Sequence, residues 1–249
     1  MKHRMAGLDA YWDELQLRIG VFLAGRSGDN LLTVTDFVLF WYPKMPPEAR
    51  RKRAVDDPYL KQPWPAHLAE LDQILALGRS VWCVNGRGDG LERRLEPAIT
   101  AAAREAVAAA PPAAQDHLLV AWAAAYGRSP DPDKVFHEVI RAIEDIACPL
   151  VEPSKAQGGR STLGTVIGEL RNNSFTKWEL LLPGHEGQPR DITHLVGMLE
   201  LIWHAQVSRH GGAPKSRRQD QTEAQTVVHL AATVAHWLSS GVLRRKANP

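Results

Sequence analysis

The side chains best suited to chemistry in this chain are an adjacent arginine and histidine near the C-terminus, Arg209 and His210. Histidine can transfer protons near neutral pH, and arginine can hold a phosphate group through a charged, forked contact. A histidine beside an arginine is therefore a minimal pair for handling a phosphodiester.

A purely structural role is the alternative for these two residues. Apolar residues spaced three and four apart predict a helix over 195–206, and Gly211-Gly212 is placed to end it soon after Arg209 and His210. Cations in the last turn of a helix are favoured by its macrodipole. The pattern by itself leaves both interpretations open.

A basic loop follows this helix and contains Lys215, Arg217 and Arg218. The region 205–249 carries seven Lys and Arg residues against two acidic ones, although the whole chain has a formal net charge of only +2. The molecule as a whole is therefore not a polyelectrolyte, but this region can contact the phosphates of a nucleic acid.

A metal site is the next possibility, because His229 and His236 are spaced to share one face of a helix and could meet His204 and His210. Carboxylates are missing from the nearby sequence, and histidines in a core are more often satisfied by backbone carbonyls. We therefore expect no metal and no other cofactor.

The elements that must position these residues are mostly helices. Helical periodicity covers 8–23, 67–77, 91–107, 118–126, 134–147 and the C-terminal segments, whereas 31–42 is ambiguous and 80–84 is typical of a strand. Gly78 is placed to end the helix over 67–77, Pro149 is placed to close the helix over 134–147, and the hydroxyls of 161–165 suit a helix N-terminus. The sequence predicts a mainly α protein, with a C-terminal helical bundle and an N-terminal α or α+β part that contains a short strand or hairpin.

An alanine-rich stretch broken by Pro111-Pro112 predicts a domain boundary. We expect an N-terminal part over 1–110 and a helical domain over 115–249.

Three glycines follow the predicted strand, at Gly86, Gly88 and Gly90. A strand, a glycine-rich turn and a helix also occur in this order in nucleotide-binding sites, but the spacing differs and no further βαβ pattern follows. A hairpin or a plain connector is favoured.

The compartment is suggested by Cys83 and Cys148, which lack metal or disulfide-framework spacing and favour a reducing cytoplasm. No export signal is visible at the N-terminus. The segment 224–243 has no formal charge and precedes Arg244-Arg245-Lys246, but its polar residues favour a buried helix over a membrane span. We expect no membrane association.

The order of an apolar helix, Arg209-His210-Gly211, a polar loop and the Ala- and His-rich segment 223–232 resembles the C-terminal domain of abortive-infection proteins. That domain is similar to the HEPN-type helical domains of bacterial antiphage and toxin systems. Ala142-Ile143-Glu144 and Thr162-Leu163-Gly164 extend the resemblance, which covers about 132–242.

The resemblance implies a cytoplasmic homodimer that engages RNA in antiviral defence, with a metal-independent endoribonuclease as the implied activity. His210 would position or protonate the RNA 2′-hydroxyl or the leaving oxygen, and Arg209 would stabilise charge on the phosphate. His204 or Gln206 would contribute from the same face. Lys215, Arg217 and Arg218 would bind RNA. In the HEPN ribonucleases the arginine and histidine are separated by several residues, whereas here they are adjacent.

Two other functions fit the same sequence. The bundle could be a non-catalytic dimerisation or sensor module that binds a partner protein, in which case Arg209 and His210 are dispensable. A small-molecule or nucleotide sensor could instead be built on the N-terminal half, where Trp12, Trp41, Trp64 and Trp82 could line a pocket or form part of a core.

Overall fold

The computed structural model describes residues 28–47, 63–173, 176–182, 191–208 and 216–246. The chain divides into two compact units, 1–92 and 93–249. Each unit is described by itself.

The described part of the N-terminal unit contains two helices and a strand pair. Helix α1 spans Asp29–Trp41 and continues into a short 3-10 turn, and helix α2 spans Trp64–Leu77. The ambiguous segment is thus helical. Gly78 ends α2 as predicted, with its amide bonded to the carbonyl of Ile74.

The glycine-rich segment forms the connection of a hairpin rather than a phosphate-binding loop. Strand β1 (Trp82–Val84) is hydrogen-bonded to β2 (Leu91–Arg93). The buried Asn85 side chain accepts bonds from the amides of Arg87 and Asp89, at 3.2 and 3.1 Å. An Asn side chain that bonds its own downstream backbone stabilises a tight turn, so these groups already have partners within the hairpin.

Gly88 is required in this turn by both its conformation and its surroundings. Its φ is +70°, and an added Cβ would lie 2.5 Å from Cδ1 of Leu68. A larger residue here would combine a left-handed backbone with a steric clash.

The C-terminal unit is a helical bundle. Its helices are α3 (Pro97–Ala109), α4 (Pro112–Tyr126), α5 (Pro132–Val151), α6 (Pro153–Gln157), α7 (Leu163–Asn172), α8 (Thr193–Ala205) and α9 (Gln221–Ser239). Strands β3 (Trp178–Leu180) and β4 (Leu243–Arg245) pair antiparallel, with Glu179 opposite Arg244. Within the described residues, the protein is therefore mainly helical with two small strand pairs.

Helix α5 is the centre of this bundle and packs against α4, α7 and α9. Its Val135, Val139 and Ile143 side chains are completely buried, as their helical spacing predicts. Pro149 does not close α5 as expected, because the helix continues to Val151. A proline near the C-terminal end removes only one backbone donor, so the last turn can still form.

The start of α7 confirms the expectation that the hydroxyls of residues 161–165 belong to a helix N-terminus. Thr162 and Thr165 form reciprocal capping bonds, and Glu144 Oε1 of α5 accepts the Leu163 amide at 2.8 Å. The cap and the interhelical bond together satisfy donors that α7 itself leaves free.

The division between the units lies earlier than the Pro111-Pro112 pair predicts. These prolines separate α3 from α4, but α3 packs against α9 and buries Ala103 and Ala106. The expected domain of residues 115–249 therefore lacks a helix of its own bundle. The predicted helix over 91–107 also begins later, at Pro97, because Leu91–Arg93 is a strand.

No helix in the described ranges is long and apolar enough to cross a membrane. The uncharged segment near the C-terminus instead forms most of α9, which buries Val228, Ala231 and Val234 in the bundle.

Candidate functional site

The predicted site lies where α8 and α9 are connected. His204 is exposed in the last turn of α8, which ends at Ala205. The helix predicted over 195–206 thus ends within one residue of its expected end. Arg209, His210 and Lys215 lie outside the described residues.

A buried glutamine explains where α8 ends. The side chain of Gln219 accepts the Val207 amide and donates to the Ala205 carbonyl, both at 2.9 Å. The backbone amide of Gln219 donates to Asp133 Oδ1 of α5 at 3.1 Å. We call these three bonds the Gln219 clasp.

The clasp fixes both ends of the basic connection to the bundle. Gln219 is only 6% exposed, and a buried amide is retained at low cost when its donor and acceptor are both satisfied. The sequence did not single out Gln219, because its partners are distant along the chain.

The two described cations of the predicted site have different surroundings. Both terminal nitrogens of the Arg217 guanidinium donate to the Glu223 carboxylate, Nη1 to Oε2 at 2.9 Å and Nη2 to Oε1. Arg218 is exposed and its carbonyl accepts a further bond from Arg217. Both arginines are exposed, but Arg217 is partly neutralised by its ion pair with Glu223.

Glu223 also begins helix α9. It exchanges capping bonds with Asp220, whose Oδ1 accepts the Glu223 amide at 2.8 Å. The hydrogen bond from Arg217 and the capping contact with Asp220 lower the pKa of Glu223 to about 2. Glu223 therefore remains ionised over the physiological range and keeps Arg217 oriented.

The basic residues of the C-terminal region that the structure describes do not form one patch. Arg244 in β4 donates to Glu179 at 2.8 Å, and Arg245 lies over the Trp178 ring at 5.2 Å. These two arginines follow α9, whereas Arg217 and Arg218 precede it. A helix of 19 residues is about 28 Å long, so the two groups are at opposite ends of α9.

The other histidines are directed elsewhere in the bundle. His229 Nε2 lies 2.7 Å from the hydroxyl of Tyr126 on α4, and His229 and His236 share the face of α9 that is turned towards α3. His204 belongs to α8 and is not among the residues grouped with His229 and His236 between α3 and α9. Across the described ranges, no three His, Cys, Asp or Glu side chains are grouped so as to hold a metal ion.

The N-terminal tryptophans are used in local packing. Trp64 stacks on Tyr42 with 4.1 Å between ring centroids, while Trp41 packs against Phe37 and Phe40. Trp12 lies outside the described residues. A sensor pocket built on these tryptophans, the alternative that the sequence leaves open, would therefore need the rings to contact both their neighbours and a ligand.

The start of α9 has a sequence signal that the predictions did not include. Asp220 and Glu223 are three residues apart, which is the spacing of a capping box and marks the first turn of a helix. The Tyr126–His229 contact has no such local signal, because the two residues belong to different helices.

The chain matches no protein-family model, no curated protein and no solved structure.

Proposed function

We propose that the C-terminal bundle binds RNA through the connection between α8 and α9, and that it serves in bacterial antiphage defence of the abortive-infection type with a HEPN-like fold. The observation that carries this proposal is the Gln219 clasp. It ties the ends of a connection that contains Arg209, Lys215, Arg217 and Arg218 to the rigid core of the bundle.

Anchored ends favour binding for an entropic reason. A chain segment loses less conformational freedom on binding when its two ends are already held at a fixed separation. The sequence between the ends contains four cations and no acidic residue over 208–219. An RNA backbone would gain several phosphate contacts here for a small cost in ordering.

Among the described residues of the connection, Arg218 is the best phosphate ligand. Both residues are exposed, but Arg217 would have to exchange its Glu223 partner for a phosphate. Forked guanidinium contacts with phosphate are among the stronger hydrogen bonds that proteins form. We therefore assign Arg218 a larger share of the binding than Arg217.

RNA cleavage is the stronger form of the proposal. In it, the 2′-hydroxyl oxygen attacks the adjacent phosphorus as the bond to the leaving oxygen breaks, with His210 moving the proton and Arg209 stabilising the phosphate charge. His204, exposed at the end of α8, would contribute from the adjacent helix.

A protein partner or a homodimer is the second candidate, and exposed apolar side chains favour it. Leu201 on α8 is 62% exposed, and Leu181 and Leu182 after β3 are 50% and 53% exposed. Exposed leucines of this kind are available for an interface. In this version the bundle is a dimerisation or sensor module and the basic connection is not required.

Binding is tested with a fluorescently labelled single-stranded RNA, titrated with the full-length chain at several salt concentrations. We expect affinity to fall steeply with salt, and Arg218→Glu to weaken binding and reduce the slope by about 0.7 for each phosphate that the variant no longer neutralises. Arg141→Glu is the matched control, because Arg141 is exposed on α5 and belongs neither to the connection nor to the Gln219 clasp. Binding that ignores salt, or equal losses in both variants, contradicts the proposal.

Cleavage is tested separately in cells that express the intact chain, Arg209→Ala or His210→Ala, with folding confirmed for each. Growth arrest and RNA fragmentation that only the intact chain produces support a ribonuclease. Intact RNA in every strain, combined with salt-dependent binding in vitro, supports RNA binding without cleavage. Intact RNA and no binding support the interaction module.

A further inference from the structure

A groove of about 390 Å³ lies between α3 and α9, and none of its described lining residues belongs to the basic connection. Its α3 side is formed largely by Ala102, Ala103 and Ala106, and its α9 side by His229, His236 and Trp237. The groove exists because small side chains on α3 face large rings on α9. Its volume is within the range of about 300–1,000 Å³ that is usual for small-molecule sites.

One polar group in the groove is already oriented by its neighbours. His229 Nε2 is bonded to Tyr126 Oη at 2.7 Å, and the Trp122 ring meets the imidazole edge to face at a centroid distance of 5.3 Å. Burial lowers the pKa of His229, so the imidazole is neutral at pH 7. A fixed, neutral imidazole can exchange hydrogen bonds with a ligand without offering it a positive charge.

A second polar group is buried without a partner. Nδ1 of His236 is inaccessible to solvent and forms no hydrogen bond with any part of the chain that the structure describes. Native proteins rarely leave a buried polar atom unsatisfied. A ligand in the groove with a hydrogen-bonding group could satisfy it after a small rotation of the ring.

The charge at the groove selects among ligands. Glu105 is exposed on α3 and contributes to the lining, and no Lys or Arg is among the described residues that line the groove. The local charge therefore opposes an anion and favours a cation. Trp237 adds an aromatic surface, against which apolar groups and cations both pack well.

We propose that the α3–α9 groove is a binding site for a small organic amine, with its apolar body against the alanines and Trp237 and its ammonium group near Glu105. This site is independent of the proposed RNA binding, because it uses none of the residues of the α8–α9 connection. Glu105 provides the charge, the alanines provide the space, and the histidines provide hydrogen-bonding groups at the inner wall.

The proposal is tested on the full-length chain by calorimetric titration with three probes of similar shape: 2-phenylethylamine, 2-phenylethanol and phenylacetate. We expect the amine to bind most tightly, the alcohol less tightly and the carboxylate least. Imidazole NMR signals of His229 and His236 should shift with the amine. Equal affinities for the three probes, tightest binding of phenylacetate, or no binding of any probe would overturn the proposal.

A pair of alanine substitutions tests the location. Ala102→Phe fills the groove and should reduce amine affinity at least about tenfold, because a side chain then occupies the space of the ligand. Ala101→Phe is the matched control, since Ala101 is an exposed neighbour on α3 that does not line the groove. Equal effects of the two variants would contradict binding at this place.

Glu105→Gln tests the charge without changing the shape. We expect it to lower the affinity for 2-phenylethylamine about threefold, the magnitude typical of a solvent-exposed ion pair. The affinity for 2-phenylethanol should not change. Unchanged amine affinity would overturn the assignment of Glu105. Salt-dependent RNA binding should be retained in every groove variant, so a failed groove test does not bear on the RNA proposal.

Discussion

At the scale of single residues, the candidate site differs from its sequence-based description in how its cations are used. Arg217 and Arg218 are adjacent, look equivalent in sequence and are both exposed, but the Arg217 guanidinium is bonded to Glu223. The sequence identifies which residues carry charge. It does not show which of those charges an internal partner already compensates, since that depends on the start of α9.

The Arg217–Glu223 pair makes a prediction about acid stability. The pKa of Glu223 is lowered from 4.5 to about 2, so its contribution to folding is present above pH 4.5 and is lost as the pH falls towards 2. We expect Glu223→Gln to flatten the fall in unfolding free energy over this window, measured by urea denaturation at a series of pH values.

Arg217→Leu serves as the partner control for that measurement. It removes the main cause of the lowered pKa of Glu223 and should also flatten the acid dependence. If unfolding free energy plotted against pH gives parallel curves for both variants and the parent protein, the ion pair is not coupled to folding.

At the scale of elements, the end of α8 is decided by the Gln219 clasp. Gln219→Ala leaves the Val207 amide and the Ala205 carbonyl without their side-chain partners. We expect a loss of about 1–2 kcal/mol in unfolding free energy, since water that enters at the exposed Ala205 replaces only some of the lost bonding.

Gln225→Ala is the control for the clasp, because it removes the same type of side chain from the second turn of α9. A change below about 0.5 kcal/mol is expected there. Equal losses of unfolding free energy in the two variants would contradict the stabilising role of the clasp. If Gln219→Ala also weakens RNA binding without changing the charge of the connection, the anchored ends contribute to affinity as proposed.

The packing of α7 against α8 makes a second prediction at this scale, because two glycines of α7 have different surroundings. A Cβ on Gly168 would meet nothing within 4 Å, whereas one on Gly164 would lie 3.1 Å from Cζ2 of Trp203 on α8. We expect Gly168→Ala to stabilise the protein by about 0.5–1 kcal/mol through helix propensity.

Gly164→Ala should stabilise the protein less than Gly168→Ala does, or should destabilise it, because the Trp203 ring must move to admit the new methyl group. Thermal unfolding of both variants beside the parent measures the difference. Equal stabilisation would mean that α7 and α8 have room to separate.

At the scale of the whole molecule, α3 belongs to the C-terminal unit and not to the N-terminal part. It packs on α9, and Ala103, Ala106 and Ala110 are buried. The two prolines that suggested a linker instead start α4, a position that a proline tolerates because its missing amide would have no helical partner.

This assignment predicts how two fragments behave. A fragment of residues 93–249 should unfold in one cooperative transition, whereas one of residues 111–249 should melt at a lower temperature, because it exposes the face of α9 that α3 covers. Differential scanning calorimetry of the two fragments provides the comparison. Equal melting temperatures would return the boundary to the proline pair.

Much of the local structure follows from the order of residues alone. Helical spacing of apolar residues identified α5 and its buried face, hydroxyl residues marked the start of α7, and Gly78 marked the end of α2. The glycine-rich turn after β1 was also predicted as a hairpin or connector. These features depend on residues a few positions apart, and the physical rules that relate them are local.

Tertiary contacts were needed to establish what holds the end of α8, to which unit α3 belongs and that a groove lies beside His229 and His236. Gln219 bonds to α5 and to the end of α8, and Tyr126 reaches His229 from another helix. These contacts join residues that are far apart in sequence, and the long-range packing of helices brings them together. Composition and periodicity describe the faces of each helix, but they do not specify which faces meet.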